Sequence, residues 1–504
     1  MVSKVLSATP FGFHGQLIEI EGDMSRGLPG LQIVGMGNKA VDESRDRVKS
    51  AIKNSLLDFP KEKIVINLAP AELPKDGTQF DLPIALAIMC LNKQLSPNDV
   101  ANALFAGELA LDGSLRPIRS SIVIAETAKQ HNIQRVFVPV QNFSQASLVD
   151  GVEIIPVPDL KTLFLFLKGE LKNIKTPPND TMSGQLDSQI ILDDIFGQDQ
   201  AKRAVEIAVA GRHNILLSGP PGSGKTMLAR AICSLLPAMN KSEIIDVTKL
   251  HSLGDKKATS EVINLRPFRS PHHTASRASI VGGGTKLQPG EISLAHHGVL
   301  FLDEILEYPR SVLEALRQPL EDHVVTISRV NGKFEFPANF ILAATMNPCP
   351  CGFLGDTEKQ CTCSQSQIIN YQKKLSGPLL DRIDITVNVS RVPHDELMSK
   401  KQHSNEQHTT AKKNIQQAIY IQNNRYKSCG KYNGNLSSSD VVKLSMISPS
   451  AETFLNTAAK NLDLSARSYF KVIKVARTIA DLENTKTVEI PHIAESLQYR
   501  QISL

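Results

Sequence analysis

A glycine-rich turn between two apolar runs carries the spacing G-x-x-x-x-G-K-[ST]. The run Ile215–Ser218 predicts a strand, and the run from Met227 to Leu236 predicts a helix. Glycines in such a turn let backbone N–H groups wrap a phosphate chain, and the lysine and hydroxyl that follow suit the β/γ-phosphates and Mg²⁺. A chance glycine turn would not need the strand and the helix on either side. The motif predicts an ATP and Mg²⁺ site formed by Gly219, Pro220, Pro221, Gly222, Ser223, Gly224, Lys225 and Thr226.

Two adjacent carboxylates follow a second apolar run, Gly298–Leu302. The glycine-rich turn described above is a P-loop. A P-loop enzyme needs an acid for its metal and a group that orients the attacking water, and both usually follow a neighbouring buried strand. We therefore assign Asp303 to Mg²⁺ and Glu304 to the nucleophilic water. The alternative is an acidic helix start after a core strand, because Asp and Glu favour the first helical turn.

The elements that must position these side chains alternate between strand and helix. The segment Ile195–Gln198 and the helical run Gln200–Ala210 precede the P-loop strand, and Phe340–Asn347 predicts a further strand that ends in a polar residue. Such alternation predicts a parallel sheet with ligands at the carboxyl ends of its strands. This order resembles the AAA+ family.

The AAA+ resemblance implies roles for three further residues. Asn347 takes the place of the sensor-1 residue, Arg382 lies in a segment that matches the arginine finger, and Arg467 matches the sensor-2 position in a helical lid. An arginine from a neighbouring subunit is worth about 10³–10⁵ in rate in related systems. The alternatives are a strand-end turn residue for Asn347, an ion pair with Asp381 or Asp384 for Arg382, and a surface arginine at a helix start for Arg467.

Two basic elements lie on either side of the Asp303–Glu304 strand. The segment Leu265–Gly290 contains no acidic residue, which favours phosphate contact over an ordinary solvated face. The second element is a predicted hairpin, Val324–Val330 and Lys333–Phe336, around an Asn-Gly turn. In the helicase-like branch of AAA+ proteins, a hairpin at the corresponding place projects into the pore of a ring. The predicted DNA-contacting residues are Arg266, Arg269, Arg277, Lys286, Arg329 and Lys333.

Four of the seven cysteines follow Asn347 with the spacing C-x-C-x₉-C-x-C. Four thiolates from Cys349, Cys351, Cys361 and Cys363 suit a tetrahedral Zn²⁺ ion, although C-x-C restricts the bite more than C-x-x-C does. Free buried thiols are the alternative.

The overall composition indicates a large folded protein without a strong charge bias. A length of 504 residues suggests about three domains, and 41% hydrophobic content supports folded cores. The net charge of +5 is too small to imply a polyanionic partner by itself. Neither a membrane-spanning run nor a signal-peptide pattern is found, so we expect a cytoplasmic protein without a membrane partner.

The N-terminal third predicts a small α/β domain that resembles the Lon-protease-like domain. The resemblance rests on Pro74–Gly77 and on later segments such as Val136–Pro139. The catalytic serine of that family is replaced by Gln79, and the lysine position holds Ile122 or Ile124. An amide and an aliphatic side chain cannot form a Ser–Lys dyad, so we expect a domain for docking or assembly without protease chemistry.

The predicted domain boundaries follow changes in composition. The polar, proline-containing stretch 169–190 predicts a flexible linker. It separates a Lon-protease-like domain (1–168) from an AAA+ ATPase domain (191–392), and helical spacing predicts a C-terminal helical lid (393–504). The predicted fold class is α/β: an AAA+ P-loop parallel sheet with an N-terminal Lon-protease-like (S5 domain 2-like) domain and a C-terminal α-helical lid.

These ordered motifs cover nearly the whole chain, which closely resembles the Mg-chelatase-like YifB/ComM family. The resemblance implies a hexameric ATPase that binds single- and double-stranded DNA. It also implies a branch-migration helicase that acts in natural transformation, with recombination proteins as possible partners. Composition and spacing by themselves indicate only a P-loop ATPase with basic insertions.

Two other functions remain open from the sequence. The first is the ATPase subunit of magnesium chelatase, although the Lon-like domain and the cysteine cluster do not favour it. The second is a protease or protein unfoldase, for which Gln79 and the two isoleucines exclude the Ser–Lys chemistry but not unfolding of a protein partner.

Overall fold

The computed structural model describes residues 2–35, 39–73, 75, 77–177, 190–254, 260–284, 287–329, 332–356, 358–392, 405–428 and 430–500. The chain divides into two units. The first contains Met1–Gly184 and Asn240–Asn264, and the second contains Gln185–Met239 and Leu265–Leu504. Most of the predicted linker, residues 178–189, lies outside the described residues.

The first unit is built on a mixed sheet of seven strands, whose spatial order is β3 (Gly30–Val34), β4 (Lys63–Ala69), β2 (His14–Ser25), β1 (Val2–Phe11), β5 (Ala103–Phe105), β8 (Arg135–Pro139) and β9 (Glu153–Val157). Strands β6 (Glu108–Leu109) and β7 (Leu115–Arg116) form a separate small hairpin. The strands of this unit are β1 (Val2–Phe11), β2 (His14–Ser25), β3 (Gly30–Val34), β4 (Lys63–Ala69), β5 (Ala103–Phe105), β6 (Glu108–Leu109), β7 (Leu115–Arg116), β8 (Arg135–Pro139) and β9 (Glu153–Val157). Its first five helices are α1 (Lys39–Asn54), α2 (Asp81–Leu91), α3 (Ser121–Gln130), α4 (Phe143–Ala146) and α5 (Leu160–Leu167).

Helix α2 forms the centre of this unit, because all of its residues are buried. A helix that is apolar on every side belongs in a core. Its one acidic residue, Asp81, is paired with Arg47 at 2.9 Å. Burial raises the pKa of Asp81 to about 6, although the hydrogen bond from Arg47 acts in the opposite direction.

The positions that correspond to a Lon dyad hold no nucleophile and no base. Gln79 is buried and its amide lies 3.4 Å from the hydroxyl of Thr9, and Ile122 and Ile124 are fully buried in the core. The neighbouring Pro74 and Asp76 of the Lon-like motif lie outside the described residues. The side chains at these positions therefore serve packing.

The second unit is built on a parallel sheet of five strands, whose spatial order is β11 (Phe268–Arg269), β14 (Val299–Leu302), β17 (Ile341–Met346), β10 (Ile215–Ser218) and β18 (Ile385–Asn388). Its central strands are buried along their whole length, as expected for a parallel sheet covered on both faces. The strands after residue 190 are β10 (Ile215–Ser218), β11 (Phe268–Arg269), β12 (Gly282–Gly283), β13 (Gln288–Pro289), β14 (Val299–Leu302), β15 (Val324–Arg329), β16 (Gly332–Pro337), β17 (Ile341–Met346) and β18 (Ile385–Asn388).

Helices follow most of these strands and continue into a helical C-terminal region. They are α6 (Asp199–Gly211), α7 (Lys225–Leu235), α8 (Lys241–Gly254), α9 (Arg277–Val281), α10 (Glu291–Leu294), α11 (Arg310–Ala315), α12 (Pro319–Asp322), α13 (Gln365–Gln372), α14 (Gly377–Leu380), α15 (Glu406–Tyr426), α16 (Ser438–Leu444), α17 (Pro449–Asn461), α18 (Ala466–Leu482) and α19 (Ile490–Gln498). The predicted fold class, an AAA+ sheet with a helical lid, is confirmed. Residues 393–404, the first residues of the predicted lid, lie outside the described residues. Within the described part of the chain, no helix has both the length and the apolar character that a bilayer crossing requires.

Helix α8 belongs to the first unit although it follows the P-loop helix α7 in the chain. Its Lys249 is buried, pairs with Glu126 and lies 4.0 Å from the centre of the Phe13 ring. Lys241 at the start of the helix pairs with Asp150 at 2.6 Å. Helix α8 is thus held by charge pairs that its own sequence does not predict.

The C-terminal helices pack on α6 and enclose a buried charge cluster. Asp481 is fully buried and accepts hydrogen bonds from Arg425 and Arg477, the latter at 2.9 Å. Asn433 donates a further hydrogen bond to the same carboxylate at 2.9 Å. Because Arg477 is also fully buried, this carboxylate is the counter-charge that keeps two guanidinium groups in the lid.

We expect Asp481→Ala to lower the free energy of unfolding by about 3–5 kcal/mol, because it leaves buried guanidinium groups without their counter-charge. Denaturant titration of the full chain followed by circular dichroism measures this loss. Lys413→Ala, which removes an exposed charge inside helix α15 of the same region, is the control and should change stability by less than about 0.5 kcal/mol. Equal stability of the two variants would contradict the assignment.

Candidate nucleotide-binding site

Three adjacent parallel strands bring the predicted nucleotide-binding residues to one edge of the sheet. Strand β17 lies between β10 and β14, with Ser218 opposite Met346 and Leu302 opposite Ala344. The P-loop, the Asp303–Glu304 pair and Asn347 follow these three strands directly. Since carboxyl ends of parallel strands share an edge, the sheet brings these motifs together as the sequence predicts.

The P-loop backbone has the form that a phosphate chain needs. Gly222 and Gly224 have φ values of +78° and +87°, and a Cβ at either position would meet open space. Among the described residues, the buried hydroxyl of Ser223 has no hydrogen-bond partner. At Gly219 a Cβ would lie 2.1 Å from the carbonyl oxygen of Val389, so the loop begins against the backbone after β18. These features fit a triphosphate cradle.

Lys225 points its ammonium group back into the loop. Its Nζ donates to the carbonyl oxygens of Gly219 at 2.7 Å and Pro220 at 2.8 Å, and lies 3.5 Å from Oδ1 of Asn347. Burial lowers the pKa of Lys225, and the charges of Asp303 and Glu304 act in the opposite direction. The lysine, the two acids and the asparagine therefore interact within one small site.

The Asp303–Glu304 turn is held by a residue that the sequence analysis missed. The buried hydroxyl of Thr345 donates to Oδ1 of Asp303 at 2.6 Å and accepts from the backbone N–H of Glu304 at 2.9 Å. Glu304 has φ of +49°, an uncommon conformation for a residue with a side chain. A polar residue in the apolar strand Ile341–Met346 is the signal that would have identified Thr345. The carboxylates themselves are exposed, as is Thr226, so this donor set fits a hydrated Mg²⁺.

The cysteine loop packs directly on the P-loop. A Cβ on Gly352 would lie 2.7 Å from Cδ of Pro221. The Sγ atom of Cys349 lies 3.4 Å from that of Cys351 and 3.6 Å from that of Cys361. All four sulfur atoms, including that of Cys363, lie within 4.8 Å of one another. Backbone N–H groups of Phe353 and Thr362 lower the pKa of the Cys351 thiol to about 6.

Arg382 and Arg467 lie at the opposite edge of the sheet from the P-loop. Asp384 N donates to the carbonyl oxygen of Asn214 at 3.1 Å, which places the Arg382 segment where β10 begins. Lys471 of α18 donates to the carbonyl oxygen of Ile383 at 2.9 Å and ties the start of that helix to the same edge. A four-residue strand spans about 13 Å. The prediction that Arg467 reaches the nucleotide is therefore not met within one chain.

Two of the predicted DNA-contacting arginines are occupied by structural contacts, and this corrects the prediction. Arg266 donates to the carbonyl oxygen of His297 at 2.7 Å and to those of Pro237 and Ala238. Arg269 forms a bidentate ion pair with Glu291, with N–O distances of 2.6 and 2.8 Å. That glutamate lies just beyond the segment that contains no acid. Lys286 lies outside the described residues.

The other predicted DNA-contacting side chains are exposed. Arg277 occupies the first turn of α9, and Arg329 and Lys333 lie at the end of the β15–β16 hairpin, where Arg329 is opposite Gly332. Lys333 is 65% exposed and pairs with Glu335 at 2.9 Å. Residues 330–331, which include Asn331 of the predicted Asn331–Gly332 turn, lie outside the described residues.

The hairpin is anchored by its apolar face. Val325, Phe334 and Phe336 are buried, and Val325 lies opposite Phe336. Its Ile327 also lies beside the short β12–β13 hairpin, at 3.3 Å from where a Cβ on Gly282 would stand. A buried base and a charged end are what a hairpin needs to present cations on a fixed support.

Family models of magnesium chelatase match three parts of the chain. "Magnesium chelatase, subunit ChlI" matches residues 191–397, "Subunit ChlI of Mg-chelatase" matches 20–142, and "Magnesium chelatase, subunit ChlI C-terminal" matches 405–500. Together with the P-loop and the acidic pair, these matches define the class of Mg-chelatase-like AAA+ proteins.

Full-length relatives narrow this class further. The chain is 40% identical to the competence protein ComM of Haemophilus influenzae, over 98% of this chain and 97% of the relative. It is 39% identical to the YifB protein of Escherichia coli, over 99% of this chain and 97% of the relative. An archaeal Lon protease from Archaeoglobus fulgidus is 40% identical over 57 residues, which are 11% of this chain and 9% of the protease. The chain belongs to the YifB/ComM family.

Proposed function

We propose that the protein is an ATP-driven DNA motor that works as a homo-hexamer and binds single- and double-stranded DNA. The observation that carries the proposal is the anchored hairpin that exposes Arg329 and Lys333 on the unit that holds the P-loop. Similarity to a competence protein supports branch migration during natural transformation or homologous recombination as its task. Such a task would place it in the cytoplasm, with recombination proteins as partners.

Each residue of the nucleotide site has a separate part in this proposal. Lys225 binds the β/γ-phosphates once it leaves the loop carbonyls, and Thr226 and Asp303 hold Mg²⁺, which when bound neutralises phosphate charge. Glu304, fixed through its backbone by Thr345, orients the attacking water and takes its proton. Asn347, whose Oδ1 lies 3.5 Å from Nζ of Lys225, would contact the same water.

A ring explains why Arg382 and Arg467 lie away from the P-loop of their own chain. In a ring, the amino edge of one sheet can face the nucleotide of the next subunit, so both arginines would act on a neighbour's phosphates. An arginine contributed in this way stabilises the charge that develops on the transferred phosphoryl group. The position of the two arginines supports a closed oligomer, and we propose six subunits.

We further propose that the four cysteines hold a structural Zn²⁺ ion. The Sγ–Sγ distances of 3.4–3.6 Å are close to the roughly 3.8 Å edge of a tetrahedron with Zn–S bonds of about 2.3 Å. The ion would hold the loop that follows Asn347 and contacts Pro221, and so keep one wall of the nucleotide site in place.

The zinc proposal predicts about one Zn²⁺ per chain, and Cys361→Ser/Cys363→Ser should remove it and lower the thermal midpoint. Metal analysis of the purified protein and thermal unfolding measure the two effects. Cys90→Ala/Cys233→Ala is the control for zinc content and should keep the ion, because neither residue belongs to the cluster. Protein without zinc, or a double variant that keeps its zinc, would leave the cluster as four free thiols.

The hairpin tests the DNA proposal. Arg329→Ala/Lys333→Ala should weaken binding equally on unrelated DNA sequences, because phosphate contacts carry no base information. Each lost contact should also flatten the log–log salt dependence of binding by roughly 0.7–0.9. Strand separation should fall more than DNA-independent ATP hydrolysis, since the nucleotide site is untouched. Fluorescence anisotropy at several salt concentrations and an unwinding assay measure these changes.

Two further variants sharpen this test. Glu335→Gln frees Lys333 from its ion pair and should tighten DNA binding, the opposite of the double variant. Lys443→Ala/Lys460→Ala removes two exposed charges elsewhere on the second unit and is the matched control. If the hairpin variant binds and unwinds DNA like the parent, the motor has another substrate. Remodelling of a protein partner, as in a chelatase or an unfoldase, would then replace the DNA proposal.

A further inference from the structure

The carboxylate of Glu321 bridges Arg382 and Arg467 at the end of the parallel sheet where its strands begin, which we call the amino edge. Glu321 lies in the short helix α12, and its Oε2 accepts a hydrogen bond from Nη2 of Arg382. Its Oε1 accepts one from Nη2 of Arg467 at 3.0 Å. The arginines come from segments 85 residues apart in the chain, yet each carboxylate oxygen takes one of them. Two guanidinium groups this close would repel each other without the charge between them.

Arg382 is held more firmly than Arg467. Its Nε donates to the carbonyl oxygen of Arg317 at 3.1 Å, and its Nη1 donates to that of Pro378 at 2.6 Å. Its side chain is 13% exposed, whereas those of Arg467 and Glu321 are 43% and 50% exposed. The backbone therefore fixes Arg382, and Glu321 links the more exposed Arg467 to it.

The cluster keeps a surplus of positive charge. Two arginines share one carboxylate, so one positive charge is left without a partner within the trio. The hydrogen bond from Arg382 lowers the pKa of Glu321, which keeps the carboxylate ionised at neutral pH. Arg382, Arg467 and Glu321 together carry a net charge of +1. The two guanidinium groups of this trio are suited to an incoming anion with several oxygens, such as a phosphate chain.

The proposal rests on the action of Arg382 on a neighbour's nucleotide. We propose that Glu321 is a positioning residue that holds Arg382 and Arg467 as a pair, aligned for the triphosphate bound by the adjacent copy of this chain. Glu321 does not touch the phosphates itself. It sets the distance between the two arginines and limits the rotamers of Arg467 before the neighbour's phosphates arrive.

Loss of this alignment should reduce turnover more than ATP binding. Misplacement of a catalytic group by about 1 Å can cost roughly 10²-fold in rate. We therefore expect Glu321→Gln, which keeps the size of the side chain and removes its charge, to lower kcat for ATP hydrolysis by about 10²-fold. KM should change little, because the P-loop of the variant subunit is intact. Glu321→Asp keeps the charge with a shorter reach and should recover part of the loss. Asp322→Asn, the next residue of α12, is the matched control and should turn over ATP like the parent.

Mixed oligomers decide whether Glu321 acts across the interface. Glu321→Gln mixed with Lys225→Ala should regain ATP turnover, because an intact P-loop of the first variant meets an intact arginine pair of the second. Glu321→Gln mixed with Arg382→Ala should regain nothing above the average of the two parents, since both supply a defective pair. Light scattering and thermal unfolding of each variant confirm that the subunits fold and assemble.

Two results would overturn the inference. One is parent-like kcat for Glu321→Gln, and the other is recovery of turnover when Glu321→Gln is mixed with Arg382→Ala. Failure of the proposed action in trans looks different: Arg382→Ala and Lys225→Ala would then fail to complement each other in confirmed mixed oligomers. Complementation by that pair, together with the wrong pattern for Glu321, would reject only the role of Glu321.

Discussion

Lys225→Ala is expected to abolish ATP binding, whereas Glu304→Gln should bind ATP normally and lose turnover by about 10³-fold or more. The structure separates the two effects. Lys225 is a buried cation inside the P-loop, so its loss removes the charge that binds the phosphates. Glu304 is exposed at the turn after β14, and its amide analogue keeps the shape of the site but cannot take a proton from water.

Equilibrium binding of a fluorescent ATP analogue and steady-state phosphate release measure the two outcomes. Glu307→Gln is the matched control, because this nearby glutamate pairs with Lys374 at 3.8 Å and has no assigned part in the nucleotide site. It should bind and hydrolyse ATP like the parent. Equal loss of ATP binding in Lys225→Ala and Glu304→Gln would reject the separate roles.

The sequence was sufficient where local motifs coincide with strand ends. The P-loop, the Asp303–Glu304 pair and Asn347 each follow an apolar run, and parallel pairing of those runs brings them together without further information. The β15–β16 hairpin was predicted for the same reason, since its alternation and turn residues are local signals. In these cases, the local sequence pattern determines the strand, and the pairing of the strands determines where the motif residues lie.

Non-local pairing explains what the sequence analysis missed. Arg266 and Arg269 were assigned to DNA because their own segment has no acid, but the carbonyl oxygen of His297 and the carboxylate of Glu291 occupy them. Strand β11 has two residues and no periodicity to detect, and it exists because β14 lies beside it. Charge counts within a segment cannot reveal a partner that folding brings from outside it.

The placement of helix α8 is a second example. The predicted boundaries assign all of residues 191–392 to the AAA+ domain, yet helix α8 belongs to the first unit. Lys249 is buried there by Glu126 and Phe13, which lie more than a hundred residues earlier in the chain. Its sequence has no pronounced apolar face, since the buried residues include Thr248, Lys249 and His251, so no local pattern identifies its partner.

Arg382→Ala should lower ATP turnover by about 10³–10⁵-fold and should be rescued in trans. Arg382 lies at the amino edge of its sheet, about 13 Å of strand away from its own P-loop, so its loss leaves that pocket intact. Mixed with Lys225→Ala, it should form interfaces that combine the intact P-loop of one subunit with the intact arginine of the other.

In random six-membered rings of equal composition, about one interface in four combines the two intact halves, so turnover should rise far above that of either variant alone. Phosphate release measured across a range of mixing ratios should peak near equal amounts, a shape that contamination by parent protein cannot produce. Mass photometry or crosslinking of tagged subunits establishes that the rings are mixed. If turnover stays at the level of the separate variants in such rings, Arg382 serves its own chain, and its contacts with Glu321, Arg317 and Pro378 are then the whole of its role.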